Sequence, residues 1–146
     1  MQSLAGPADI LYPLFALAAL TFMVLLLIPF ARARAARVGE VAATDFRHGE
    51  SPSVPPRVSL PNRNFMNLLE MPTLFYAVCL MLFVTGGSDA TTVTLAWFYV
   101  ALRAVHSAIH LTYNRVSHRL SAFTLGNIAL AALWVIAGLH LAGNAP

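Results

Sequence analysis

Two apolar stretches of this chain carry groups that could bind a small charged ligand. Arg63, Asn67 and Glu70 lie in the first, and Arg103, His106, His110, Tyr113 and Asn114 in the second. At ~100° per residue each set falls on one face of a helix. Arginines grip carboxylates through two parallel hydrogen bonds, and a carboxylate such as Glu70 pairs with an ammonium. The chemistry suits a small anionic or zwitterionic molecule. His106 and His110, at i and i+4, also have a spacing used by metal or haem ligands. No cysteine or second carboxylate completes such a set, and His140 lies toward the opposite membrane face. A structural reading stands beside the ligand reading: Glu70 pairs with Arg103 and locks two helices together, while Arg63 snorkels to the interface.

The elements that must position these groups are membrane helices. Hydrophobic residues make up 58% of the chain and charged residues 10%, against about 45–50% and 25% in soluble domains. This is the composition of an all-α integral membrane protein. A span needs ~20 apolar residues, and four segments of one 146-residue domain qualify, roughly 10–37, 62–85, 90–115 and 121–141. The first is too long for a cleaved signal peptide, and it is preceded by Asp9 and no arginine. Residues 39–61 contain Pro52, Pro55, Pro56 and Pro61 and read as an extended polar loop, with Asn62 capping the second helix. Pro72 should kink that helix or widen a turn. The short turn at 85–89 sets the second and third helices side by side and antiparallel. Ser117 to Ser121 is another tight connection.

All nine basic residues are arginine, consistent with a GC-rich bacterial genome, and the net charge is +3. The arginines flank or enter apolar segments and form no exposed stripe, which argues against nucleic acid as a partner. Arg32, Arg34, Arg37, Arg47 and Arg57 belong to the first connection, and Arg115 and Arg119 border the third. The positive-inside rule makes both connections cytoplasmic and both termini periplasmic, in a bacterial inner membrane. At ~1.5 Å per residue, Glu70 then lies ~12 Å and His106 ~13 Å from that side. An ionisable group at helix-centre depth costs ~2.5–3.5 kcal/mol on insertion scales, so level-matched polar stripes should face each other or a ligand. Cys79, alone in an apolar run, reads as a small buried hydrophobe. Trp97, Tyr99 and Trp134 read as bilayer-facing or packing aromatics. Ala122 and Gly126 form a small-xxx-small spacing, a signal of helix packing that could serve assembly.

Arg63-x-x-x-Asn67-x-x-Glu70, then Arg103-x-x-His106 and an arginine soon after, resembles the MAPEG superfamily of membrane-associated proteins in eicosanoid and glutathione metabolism. The resemblance covers nearly the whole chain and points to a bacterial branch. It implies a homotrimer of four-helix subunits with glutathione held between neighbours near the cytoplasmic side. By position, Arg63, Asn67, Glu70, Arg103 and His106 match ligand-site or supporting residues. Arg119 looks like the arginine beside the glutathione sulfur, and Arg32 or Arg34 matches one at the end of the first helix. His110 departs from the tyrosine usual in the eicosanoid branch, with Tyr113 as the substitute, and Pro72 follows Glu70 more closely than there.

The implied activity is a glutathione-dependent transferase or peroxidase, with glutathione as cosubstrate and a lipophilic second substrate entering from the lipid bilayer. Thiols of pKa ~8.5 are mostly protonated at pH 7, and a nearby arginine favours the thiolate. The other readings are a non-catalytic four-helix membrane protein fixed by buried polar pairs, and a haem or quinone carrier.

Overall fold

The computed structural model describes residues 6–143; the chain termini lie outside the described residues. Four stretches are long and apolar enough to cross a membrane: Pro7–Arg37, Pro56–Val84, Ala90–Leu111 and Val116–Gly143. The chain is an all-helical integral membrane protein, and among the described residues there is no strand.

α1, Leu11–Arg37, follows a 3-10 turn at Pro7–Ile10. Its buried residues Pro13, Leu17, Val24, Ile28 and Ala35 recur at intervals of four and seven. That spacing keeps one stripe against the bundle while Tyr12, Phe15, Phe22 and Phe30 are exposed. A hydrophobic stripe with apolar residues on the outer face as well is what a lipid-embedded helix requires.

The second span differs from the sequence expectation at both ends of its first half. α2, Pro56–Leu69, starts six residues before Asn62, with Pro56 in its first turn. Pro is tolerated at that point because the missing N–H has no helical partner anyway. Pro61 sits in the second turn and removes only one internal bond. The helix then breaks at Glu70 (φ −80°, ψ −95°) and resumes as α3, Met71–Val84. Pro72 has no N–H to donate to the Leu68 carbonyl four residues back, and its ring clashes with that carbonyl, so a continuous helix cannot pass this point undisturbed. Thr73 N–H and hydroxyl both donate to the Glu70 carbonyl, at 3.2 and 2.5 Å, and restart the helix.

The first connection is folded rather than extended. Val41 and Val54 are buried with Ala35 and Val58, and Phe46 packs on them. Arg32 meets Glu50 at 3.1 Å and stacks 4.3 Å above the Phe46 ring, while Arg57 pairs with Glu40.

α4, Ala90–Leu111, begins with a reciprocal cap. Thr92 N–H donates to Asp89 Oδ1 at 2.7 Å, and Asp89 N–H donates to the Thr92 hydroxyl at 2.8 Å. It ends four residues before Arg115. Asn114 takes a left-handed conformation (φ 47°), and its N–H donates to Ile109 C=O at 2.8 Å. Asn is among the few residues that accept that geometry. Tyr113 and Asn114 therefore leave the α4 helix and do not continue its polar face. α5, Val116–Gly143, starts immediately after, so residues 117–121 are helix rather than connection.

Phe75 of α3 stacks on Tyr99 of α4 at 4.6 Å, in a core shared with Leu17, Val78, Leu82 and Leu133. Ala122 and Gly126 are buried within the chain. A Cβ on Gly126 would lie 3.7 Å from the Leu102 Cβ and 3.8 Å from the Tyr99 ring. The small-xxx-small spacing thus serves the α4–α5 contact inside one subunit.

Candidate functional site

Arg103 sits at the centre of the polar region and is 1% exposed. Its Nε donates to the Tyr99 hydroxyl at 3.0 Å, one turn earlier on α4. Nη1 reaches Asn67 Oδ1 of α2 at 3.4 Å, and Nη2 reaches Asn127 Oδ1 of α5 at 3.3 Å. The guanidinium carbon also lies 5.0 Å from the centre of the Phe123 ring. One cation ties three helices together through neutral oxygens alone.

Glu70 is not its partner. Neither ion pair among the described residues involves Glu70, which is exposed at the α2–α3 break. Arg63 is exposed as well. The expected Glu70–Arg103 lock is replaced by hydrogen bonds from Arg103 to Asn67, Asn127 and Tyr99.

A second polar tier lies one turn along α4. Ser107 donates to Asn64 Oδ1 at 3.3 Å, bridging α4 and α2. His106 Nδ1 lies 3.1 Å from the Arg119 carbonyl. A carbonyl only accepts, so Nδ1 carries the proton and Nε2 offers a lone pair. His106 Nε2, His110 Nδ1 and Asn64 Nδ2 are all buried and make no hydrogen bond. The two imidazoles are 6.0 Å apart. Among the described residues, no three His, Cys, Asp or Glu converge on a point where a metal could sit.

Beside this tier opens a cleft of about 190 Å³, lined by Asn67, His106, Val116, Arg119, Leu120 and Phe123. Arg119 enters it from the first turn of α5, where its Nη1 donates to Asn114 Oδ1 at 2.7 Å. The left-handed Asn114 thus both starts α5 and holds the arginine. The positive end of the α5 dipole adds to the field of Arg119 and Arg103, so the cleft favours an anion.

The fold therefore gathers Asn67, His106 and Arg119 at one cleft, with Arg103 and His110 buried beside it. Arg63 and Glu70 lie on the exposed side of the second span. Tyr113 lies in the α4–α5 turn, its hydroxyl 3.1 Å from His118 Nδ1. Arg34 is elsewhere, on a groove between α1 and α2. Arg32 is committed to Glu50 and Phe46. Sequence reasoning missed Asn127, Tyr99, Asn64, Ser107 and Phe123 as members of the site. The two asparagines were detectable, since an amide within an apolar span needs a partner.

Comparison with known proteins returns no match among curated proteins or solved structures. One protein family matches, over residues 10–139 and so nearly the whole chain. That family, whose members are associated with glutathione, agrees with the four apolar spans and the arginine-lined cleft: the chain belongs to the MAPEG family.

Proposed function

We propose that this protein is a membrane glutathione-dependent transferase or peroxidase acting on a lipophilic substrate, with Arg119 stabilising the glutathione thiolate. The observation that carries the reading is the cleft itself: Arg119 shares it with Asn67 and His106, and no carboxylate among the described residues lines it. Glutathione brings two carboxylates, an ammonium and a thiol. Arg63 takes a carboxylate, Asn67 supplies polar contacts and Glu70 takes the ammonium. His106, His110 and Tyr113 line the rest of the ligand path, and Arg103 positions Asn67 from behind.

Ligand pockets usually hold ~300–1,000 Å³, so a cleft of about 190 Å³ is small for a tripeptide. A neighbouring subunit that covers the exposed Arg63 and Glu70 would complete it, which fits the homotrimer implied by the family resemblance. The positive-inside rule sets the site at the cytoplasmic side with both termini periplasmic.

The test is a titration of detergent-purified protein with glutathione, with thiolate ultraviolet absorbance followed in parallel. Binding with thiolate formation is expected in the wild type. Binding without thiolate would leave a glutathione-binding protein without transferase chemistry, and no binding would reject the reading. A second reading, a non-catalytic helical protein, draws on one observation: Arg103 is buried with its donors on Tyr99, Asn67 and Asn127, as a structural cation would be.

A further inference from the structure

A second hollow lies away from this cleft. A groove of about 530 Å³ runs between the C-terminal end of α1 and the start of α2. Ala31, Ala35 and Val38 form one wall and Val58 the other, with Arg34, Arg57 and Glu40 at its edge. The small side chains at 31 and 35, four apart on α1, leave the space open.

Depth places the groove. α1 has 27 residues, ~40 Å at 1.5 Å per residue. A hydrocarbon core of ~30 Å uses ~20 of them. Counted from Leu11, the hydrocarbon ends near Phe30, and residues 31–37 stand in the headgroup layer. The groove's arginines are thus level with lipid phosphates, and its alanine wall continues toward the acyl region.

Charge selects the lipid. Glu40 is engaged by Arg57, and Arg34 joins no ion pair among the described residues. Two guanidiniums against one carboxylate leave a positive charge in excess. Arg37, one turn beyond Arg34, is also exposed and unpaired among the described residues. With its only carboxylate occupied, the groove lacks a partner for the ammonium of a zwitterionic headgroup.

We infer that this groove is a binding site for an anionic phospholipid, with the phosphate on Arg34 and Arg57 and one acyl chain leaving past Ala31 toward the hydrocarbon. Within one subunit the site shares no residue with the proposed glutathione cleft, and it does not depend on catalysis. It also reassigns Arg34, which the family resemblance placed among the glutathione contacts.

Native mass spectrometry in neutral detergent tests it, with dioleoyl-phosphatidylglycerol and dioleoyl-phosphatidylcholine as probes. Saturable binding of phosphatidylglycerol, one per chain and tighter than phosphatidylcholine, is expected. Arg34→Gln should weaken it about fivefold, the equivalent of one interfacial arginine. Arg34→Lys should largely restore it. Ala31→Phe, which fills the groove and leaves every charge in place, should also weaken it and decides the matter if Arg34→Gln does not fold. Arg47→Gln, exposed and outside the groove, should have no effect. Equal losses from Arg47→Gln and Arg34→Gln would reduce the effect to diffuse surface charge and overturn the site. So would equal binding of the two lipids, displacement by inorganic phosphate alone, or displacement by glutathione, which would return Arg34 to the glutathione site.

Discussion

Arginine does different work at the two ends of this site map. Arg103 is buried among α2, α4 and α5 and held by three neutral oxygens. At the membrane-interface end, Arg57 is largely exposed and paired with a carboxylate, and Arg34 is exposed and unpaired. The difference follows from solvent. In water an arginine exchanges contacts at little expense, whereas in a dry helix bundle its donors must be satisfied in place. The interior cation is therefore a fixed part of the frame, and the interface cations are available to ligands. Arg119, half-buried at the start of α5, stands between the two cases: one nitrogen is held by Asn114 while the residue still lines the cleft.

The strongest way to break this contrast is Arg103→Met. Three acceptors lose their donor, Tyr99 buried and Asn67 and Asn127 half-buried, each hydrogen bond to a charged group being worth ~1.5–3 kcal/mol. Removing an uncompensated buried cation offsets part of that. We expect a net destabilisation of about 2–4 kcal/mol, seen as a clear fall in the thermal unfolding midpoint in detergent without ligand. An unchanged midpoint would mean that the network does not hold the frame.

Arg119→Ala should spare the frame and strike the chemistry. With Arg119 stabilising the thiolate by one pKa unit, its loss reduces thiolate formation about tenfold near neutral pH, since one unit is ~1.36 kcal/mol. An interaction felt mainly by the activated state lowers kcat more than affinity. Glutathione titration alongside thiolate absorbance separates the two. Equal thiolate signals in variant and wild type would move the role to another residue, with Arg115 the first candidate.

Glu70→Gln sharpens the comparison from the acidic side. Because Glu70 is exposed and unpaired among the described residues, unliganded stability should stay within about 0.5 kcal/mol of wild type, as for ordinary surface substitutions. Glutathione affinity should fall several-fold through loss of the ammonium contact. A large drop in unliganded stability would restore the structural role that the geometry denies. The smallest effect belongs to Arg57→Gln: an exposed ion pair contributes ~0–1 kcal/mol. Thermal unfolding at low and high salt should scarcely separate variant from wild type.

Much of this was legible in the residues. Hydropathy located four spans because lipid forces every spanning backbone into a helix. Arg103 and His106 stood out because charge within an apolar run demands a reason. The bounds were harder. Pro61-Asn62 looks like the helix start, whereas the helix begins at Pro56, and the choice depends on which N–H groups find partners. Asn114 looks like part of a polar helical face until its left-handed backbone is known. Glu70 looked like the natural counterion of Arg103 because periodicity assumes a straight helix, and Pro72 removes that assumption.

By itself the sequence determined what kind of molecule this is: a four-span helical membrane protein of the MAPEG family with polar groups at matched depth. These properties follow from composition and local spacing, which act along the chain. Only the tertiary structure decided which oxygens receive Arg103, that Arg119 enters the cleft from the first turn of α5, and that Arg34 lines a different groove of its own subunit. Those outcomes depend on helix rotation and on breaks at single residues. At Glu70 and Asn114 a few backbone angles redirect every side chain that follows, and no pattern of residue types along the chain encodes that geometry.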